Sequence, residues 1–474
     1  RKRMNQSFEE RIQEVLFLQK SSLLRLKNSS SDERIEKLRK LQHYMLAHQQ
    51  ELFDALYQDF RKPSSEVIIA ELLGVKREID HMIKHIHSWL TPQKVSTPLL
   101  LLGTQGHIQY EPKGLCLIIA PWNYPFNLAI NPLVHAIAAG NAIILKPSEM
   151  SEHTSVFIKK MITALYDPSD VFCVEGDAQV STFLLAQKFD HIFFTGSPAI
   201  GKLVMAAAAK HLTSVTLELG GKSPAIVGPT VHMDSSVQKI AWGKFLNNGQ
   251  TCIAPDYVFV HEKVHFQFLA GLEKAIEGFY NADSKGIEKS KDYARIVNRR
   301  HFDRIVRLLD DAKEKGAKVI FGGELNPETN YISPTVLSQC TMDMTIMQEE
   351  IFGPILPVLT YRSEDEIVQY LSQEEKPLAL YIFSEDKVFT DFILNNTSAG
   401  SSVVNDCLIQ FGHSSLPFGG VNNSGIGKSG GKFGFQEFSH AKAVLVQKTN
   451  ALRFFYPPYT LRTKWLIEQV LKWF

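Results

Sequence analysis

Cysteine is scarce in this 474-residue chain: Cys116, Cys173, Cys252, Cys340 and Cys407 are the five. Odd in number, scattered and without a CxxC pair, they argue against a disulfide framework and against a cysteine-built zinc site. Reduced thiols in a cytoplasmic setting are expected. Charge of one sign is not in excess either, with 51 Lys and Arg against 50 Asp and Glu and a formal net charge of +1. No global basic field is there to hold a nucleic-acid backbone, so no such partner is expected. Long apolar runs are missing as well. LLLLG at 99–103 and LCLIIAPW at 115–122 fall far short of the roughly 18 residues that a spanning helix needs. The opening RKRMNQSFEER has basic residues with no apolar stretch behind them, so secretion is not expected, and Met4 reads as the natural start behind a short remnant.

What is present is an ordinary globular composition, 44% apolar and 21% charged. Its length corresponds to two or three domains at about 150 residues each. Ile35, Leu38, Leu41, Tyr44, Met45, Leu52 and Leu56 recur at helical spacing, which predicts amphipathic helix from Asp32 to Phe60. From Ser88 to Glu111 that period is lost, Pro92 and Pro98 intervene, and GTQGHIQYEP suits extended strands outside a main sheet. Beyond it, GLCLIIAP, NAIILKP, VFCVEG and HIFFTG alternate with helical stretches, the last from Pro198 to Lys210. This alternation predicts βαβ units and a parallel sheet. A second series, VFVHEKV, KVIFGG, LPVLTY and LALYIFS, follows SVTLELGGKSPAIVG. Two α/β lobes are therefore expected, parting near Gly220 and Gly221.

Several segments could carry chemistry. HIFFTGSPAIGKL (191–203) places glycines between a strand and a helix, where unpaired N–H groups favour a phosphate; a tight turn with no ligand is the plain alternative. Gly196 to Lys202 matches GxxxxGK, but Leu203 stands where a nucleoside-triphosphate loop needs Ser or Thr for magnesium, and GxGxxG is absent. GIGKSGG (425–431) is another near miss, with Asn422 where the Walker pattern wants glycine, and reads as a shaped loop. His81 and His85 lie four apart, yet no ligand set completes around them and no metal is expected. Cys252 sits in the polar NNGQTC segment, where substrate could reach a thiol, whereas Cys116 and Cys173 fall in apolar runs and Cys407 adjoins Leu408 and Ile409. Glu218, before paired glycines at the lobe junction, could be a mobile general base or a simple salt-bridge partner. Asn123, in APWNYPF, offers an amide donor for an oxyanion or merely stabilises its turn.

Taken together and in order, PWNYP, ILKPSE, FTGSPAIGK, LELGGKSP, NNGQTC, QEEIFGP and LPFGGVNNSGIGKSGGKFGFQEFSH resemble the aldehyde dehydrogenase superfamily from about residue 30 to residue 447. The NYP after PW, the short N-terminal region and NRRHFDRI (298–305) look most like its class 3 branch, which includes dimeric enzymes acting on aromatic and medium or long aliphatic aldehydes. The resemblance implies two Rossmann-like lobes: an NAD(P)-binding domain from 1–94 and 113–219, and a catalytic domain from 220–428. A bridging and oligomerisation β-element would take 95–112 and 429–450, and 451–474 would form a tail. By the same resemblance Cys252 attacks the aldehyde, the Asn123 amide and the Cys252 N–H hold the oxygen, and Glu218 activates the water that hydrolyses the resulting thioester.

The resemblance also implies cofactor contacts. Trp122 belongs to that set, Lys146 and Glu149 would meet the adenine-side ribose, Gly196, Ser197 and Gly201 the pyrophosphate, and Glu350 and Phe352 the nicotinamide half. A carboxylate at Glu149 repels a 2′-phosphate and favours NAD, with NADP also open. Tyr124 and Phe418 would line an apolar aldehyde tunnel. Pro198 departs from the small residue usual in the phosphate turn; it removes an N–H yet suits a first helical turn. The tail carries Trp465, Leu466, Val470, Leu471 and Trp473 with Lys464 and Lys472 between, an amphipathic helix expected to cover the substrate entrance, touch a membrane surface or pack on the body. A homodimer is expected. The competing readings are a coenzyme A-acylating enzyme, against which the retained Glu218 argues, and a non-catalytic scaffold.

Overall fold

A computed structural model describes residues 7–449, 453 and 455–473; Met4 and the side chain of Trp473 fall outside the described part. The first sheet has six strands in the order Gly425–Ile426, Ser214–Glu218, His191–Thr195, Leu115–Ile119, Ala142–Lys146 and Val171–Cys173. All are parallel except Gly425–Ile426. Its central strands are buried along their whole length because helices cover both faces, so they read as unbroken apolar runs. Alternate residues still go to opposite sides, as a pleated strand requires. Cys116 and Ile118 join the core under the helices Asn127–Ala139 and Glu152–Leu165, whereas Leu115, Leu117 and Ile119 join the core under Phe8–Lys27 and Pro198–Ala209.

Winding starts at Leu115–Ile119, moves outward through Ala142–Lys146 and Val171–Cys173, then crosses back to His191–Thr195 on the other side. Where an open α/β sheet reverses in this way, the connections diverge and leave a crevice beyond the carboxyl ends of the two strands. Asn123 follows one of those ends and Gly196 the other.

The chain passes through Leu219–Ser223 into a seven-stranded sheet ordered Lys318–Phe321, Thr335–Ser338, Ile355–Tyr361, Tyr257–His261, Pro224–Val227, Ala379–Phe383 and Ser401–Val404. It is parallel apart from the edge strand Lys318–Phe321. Gln93–Val95, Thr104–Pro112 and Ser439–Gln447 form a separate antiparallel sheet. The fold is thus two Rossmann-like parallel lobes with an added β-element.

The single helix predicted from Asp32 to Phe60 is two, Ser31–Ala47 and Gln49–Phe60, interrupted at His48 (φ −112°, ψ 23°). Its ring stacks on Tyr44 at 3.9 Å and Nδ1 reaches the Tyr44 carbonyl at 2.9 Å. A capping box of Ser30 and Glu33 starts the first of the two. The tail forms a helix, Leu461–Trp473, with Trp465, Leu466 and Leu471 exposed. Among the described residues no helix is long and apolar enough to cross a membrane.

Candidate active site

Cys252 is partly accessible and lines a cavity of 320 Å³ whose walls include Glu218, Tyr124, Trp242, Phe411 and Phe418. The polar NNGQTC segment is largely buried. Asn247, Asn248 and Gln250 are fully buried, with backbone carbonyls accepting from their amide N–H groups, while Oδ1 of Asn247 and of Asn248 is buried without a partner. Asn248 Nδ2 donates to Ala294 O at 2.7 Å, and Gln250 Nε2 to Arg295 O at 3.0 Å. Asn247, Asn248 and Gly249 take successive left-handed conformations (φ 52°, 57°, 74°), which Asn and Gly adopt most readily. Substrate would therefore reach the sulfur through the apolar cavity. Cys116, Cys173 and Cys407 are buried packing residues.

The Asn123 side chain donates to the Gln250 carbonyl at 3.1 Å, two residues before Cys252. An amide has two N–H groups, so one remains for another acceptor. Next to it, Tyr124 closes the cavity wall through a 2.6 Å hydrogen bond with Thr251 Oγ1.

Glu218 ends the strand Ser214–Glu218 with its carboxyl buried. Ser429 Oγ donates to its Oε1 at 2.8 Å, and Oε2 is buried without a partner. Burial pushes this carboxyl up to about 8, opposed by the Ser429 hydrogen bond and the charge of Lys428 and reinforced by Glu437. Ser429 is held by two backbone bonds to Phe418, N–H to O at 2.6 and 2.9 Å. Burial, then the charges of Glu350 and Glu218, push the Cys252 thiol up to about 12, against the pull of the Cys252 and Ile253 N–H groups.

Glu350 accounts for the first of the paired glycines. A side chain at Gly220 would stand 2.3 Å from its carboxylate oxygen, and the Gly221 N–H donates to it. Burial and the charge of Asp256 push Glu350 up to about 8. Phe352, at a left-handed φ of 48°, meets the Trp122 ring edge-on at 5.4 Å. Trp122 also packs on His301 at 4.8 Å. His301 is kept neutral, pushed down to about 4 by burial and by Arg304 and Arg300, and its Nε2 is buried without a partner.

Further along the carboxyl edge of the first sheet, buried Lys146 pairs with the half-exposed Glu149 at 2.7 Å. Ser197 caps the helix Pro198–Ala209, with Pro198 in its first turn. The Gly196 N–H donates to the Glu218 carbonyl at 3.0 Å, tying that turn to the strand end that carries the carboxylate. At Gly201 a Cβ would stand 2.7 Å from Leu219, so glycine there lets the helix approach the lobe junction. A crevice at the reversal point, a helix N-terminus, the Lys146–Glu149 pair and the orphaned His301 nitrogen fit a dinucleotide. His85 stacks on Trp89, and the His81 ring lies tilted against both. Among the described residues no group of three or more His, Cys, Asp or Glu could hold a metal ion.

The model of the aldehyde dehydrogenase family matches residues 4–444. The chain belongs to the aldehyde dehydrogenase family. It is 41% identical over 428 residues to a dimeric NADP-preferring aldehyde dehydrogenase of Canis lupus familiaris, covering 90% of this chain and 93% of the relative. The solved substrate-bound state of Staphylococcus aureus AldH superposes with a TM-score of 0.92 at 39% identity, covering 97% of this chain and 99% of that one. An NAD⁺ complex of aldehyde dehydrogenase from Bacillus cereus superposes with a TM-score of 0.83 at 27% identity, over 93% and 89% of the two chains. This aldehyde dehydrogenase is an oxidoreductase that oxidises aldehydes with a nicotinamide cofactor.

Sequence reasoning had no signal for some neighbours of the site. Ser429 lay in a segment read as a shaped loop and as the start of the bridging element, His301 in a motif noted only as a branch marker, and Lys62 and Glu71 beyond the predicted helix in a stretch without a functional motif. Ser429 meets Glu218, Lys62 meets Asn123 and Glu71 meets Asn127 across long stretches of chain.

Proposed function

We propose that Cys252 is the nucleophile, Glu218 the general base and Asn123 the oxyanion donor of a hydrolytic aldehyde oxidation. The observation that carries this is the opening of Cys252 and Glu218 onto one apolar cavity. With the thiol and both carboxyls raised by burial, the resting site holds its protons; the sulfur acts after passing its proton to solvent water, and Glu218 acts in its ionised form. The thiolate adds to the aldehyde carbon, and the free Asn123 N–H and the Cys252 N–H receive the developing oxygen charge. Glu350 and Phe352 are the residues that would hold the nicotinamide half of the cofactor, which would supply the hydride acceptor. The thiohemiacetal loses its hydride and re-forms the carbonyl as a Cys252 thioester. Glu218 then takes a proton from water, whose oxygen attacks the thioester and expels the sulfur.

Trp122, Lys146, Glu149, Gly196, Ser197 and Gly201 are the residues assigned to the cofactor, and the carboxylate of Glu149 supports NAD over NADP. The apolar walls at Tyr124 and Phe418 support medium or long aliphatic and aromatic aldehydes. Cysteines that are all free support a reducing, cytoplasmic setting. The word dimeric in the canine relative's name and the unpaired edge of Ser439–Gln447 support a homodimer. Exposed Trp465, Leu466 and Leu471 support contact of the tail helix with a membrane surface.

Rapid mixing with hexanal, hexadecanal and benzaldehyde tests the reading. Acid should form without coenzyme A, and Cys252→Ala should abolish NADH formation while still binding NAD. Sustained turnover by Cys252→Ala, or acid release only with coenzyme A, would overturn it.

A further inference from the structure

Behind the Asn123 turn lies a buried ion pair that the reaction scheme does not use. Lys62 Nζ stands 2.8 Å from Glu71 Oε1, and neither side chain has any solvent exposure. The same ammonium donates to the Asn123 carbonyl at 3.1 Å and lies 4.4 Å from the centre of the Tyr124 ring. Glu71 gives its second oxygen to the Asn127 backbone N–H at 2.8 Å. The pair therefore grips both ends of the turn from Asn123 to Asn127. Glu71 belongs to a π-helical turn, Ile68–Leu72, a form found mostly as single turns at functional segments. The Ala70 carbonyl of that turn accepts from Asn127 Nδ2 at 2.6 Å.

On its other side the Asn123 carbonyl accepts from Asn247 Nδ2 at 2.8 Å, and this amide also donates to Gln250 O at 3.1 Å. Gln250 O is the same carbonyl that receives the Asn123 amide. One continuous network thus runs from Lys62 through the Asn123 carbonyl to the segment that ends in Cys252. A buried ion pair contributes little stability against apolar residues of similar volume, so its place here calls for a reason other than stability.

We propose that Lys62 and Glu71 are positioning residues for the oxyanion contact. By fixing the Asn123 carbonyl and the Asn127 N–H they aim the uncommitted Asn123 N–H at the oxygen of an aldehyde on Cys252. This rests on the roles given above to Asn123 and Cys252. The pair acts on the steps that develop an oxyanion, and not on cofactor affinity.

The test is the stopped-flow NADH burst of the full chain at saturating hexanal, with NAD affinity and the aldehyde KM measured alongside. Lys62→Met combined with Glu71→Leu replaces both charges, so no carboxylate is left buried alone. Its burst rate should fall about tenfold or more while NAD affinity and KM stay within about twofold. In an Asn123→Ala background the same double change should cost less than about threefold, because its route is already gone. Equal losses in both backgrounds, or a wild-type burst in the paired variant, would overturn the proposal while leaving the oxyanion reading intact. A wild-type burst in Asn123→Ala would instead remove the oxyanion reading, and the proposal with it. Glu71→Gln keeps the volume and the Asn127 contact, and the same comparison in that variant decides the matter if the paired variant does not fold.

Discussion

Removing the Ser429 hydroxyl should slow thioester hydrolysis and shift its pH dependence without touching hydride transfer. Glu218 stands at about 8 because burial outweighs the Ser429 hydrogen bond and the charge of Lys428, with Glu437 adding to the rise. Those groups and Cys252 are the titratable and charged neighbours that act on it. A hydrogen bond to a charged acceptor is worth about 1.5–3 kcal/mol, and one pKa unit is about 1.4 kcal/mol, so Ser429→Ala should raise the carboxyl by about one to two units. At pH 7 the ionised fraction would drop from about one in ten to about one in a hundred or fewer, a loss of about tenfold to a hundredfold in hydrolysis. The sign is that of a base: hydrolysis rises with pH through the carboxyl pKa. The assay is acid release after a single turnover, followed against pH beside the NADH burst. A Ser429→Ala profile with the wild-type midpoint, or a burst that falls as much as acid release, would refute the reasoning.

Glu218→Gln should form one equivalent of NADH per site and then stall, since the amide accepts no proton; steady turnover in a burst experiment would count against the base assignment. Glu149→Gln should raise the ratio of kcat/KM for NADP to that for NAD by about tenfold, the low end of a one-charge repulsion for a half-exposed group, and an unchanged ratio would remove Glu149 from cofactor choice. Glu218 and Glu350 both rise in the fold from 4.5 to about 8. Each therefore contributes stability that is complete below pH 4.5 and lost as pH climbs through 8. Calorimetry should show the Tm of Glu350→Gln falling less than wild type between about pH 6 and about pH 9, and parallel curves would contradict the burial argument.

The lobes and the central residues of the site were legible because their signals are local. An unbroken apolar run marks a strand covered on both faces, and NNGQTC or LELGGKSP carries its glycines and reactive side chain within a few residues. Contacts between distant segments were not legible. Ser429 meets Glu218 across 211 residues, and Lys62 meets Asn123 across 61. The break at His48 was hidden for another reason: Met45 and Leu52 keep helical phase across it, so the apolar period survives where the hydrogen-bond ladder does not. Composition marks the NNGQTC segment as polar but does not show that its amides are buried against backbone carbonyls.

Strands late in the chain pair with strands made early: one joins the first lobe's sheet and one the separate antiparallel sheet. Gly425–Ile426 pairs with the strand that ends in Glu218, and Ser439–Gln447 pairs along the whole of Thr104–Pro112. A ribosome makes these partners hundreds of residues apart, and domains tend to form in the order of synthesis. Cys252 therefore emerges well before the segment that brings Ser429 to Glu218. Until its carboxyl-terminal stretch folds back, a nascent chain lacks the strand beside Ser214–Glu218 and the Ser429 hydrogen bond to Glu218.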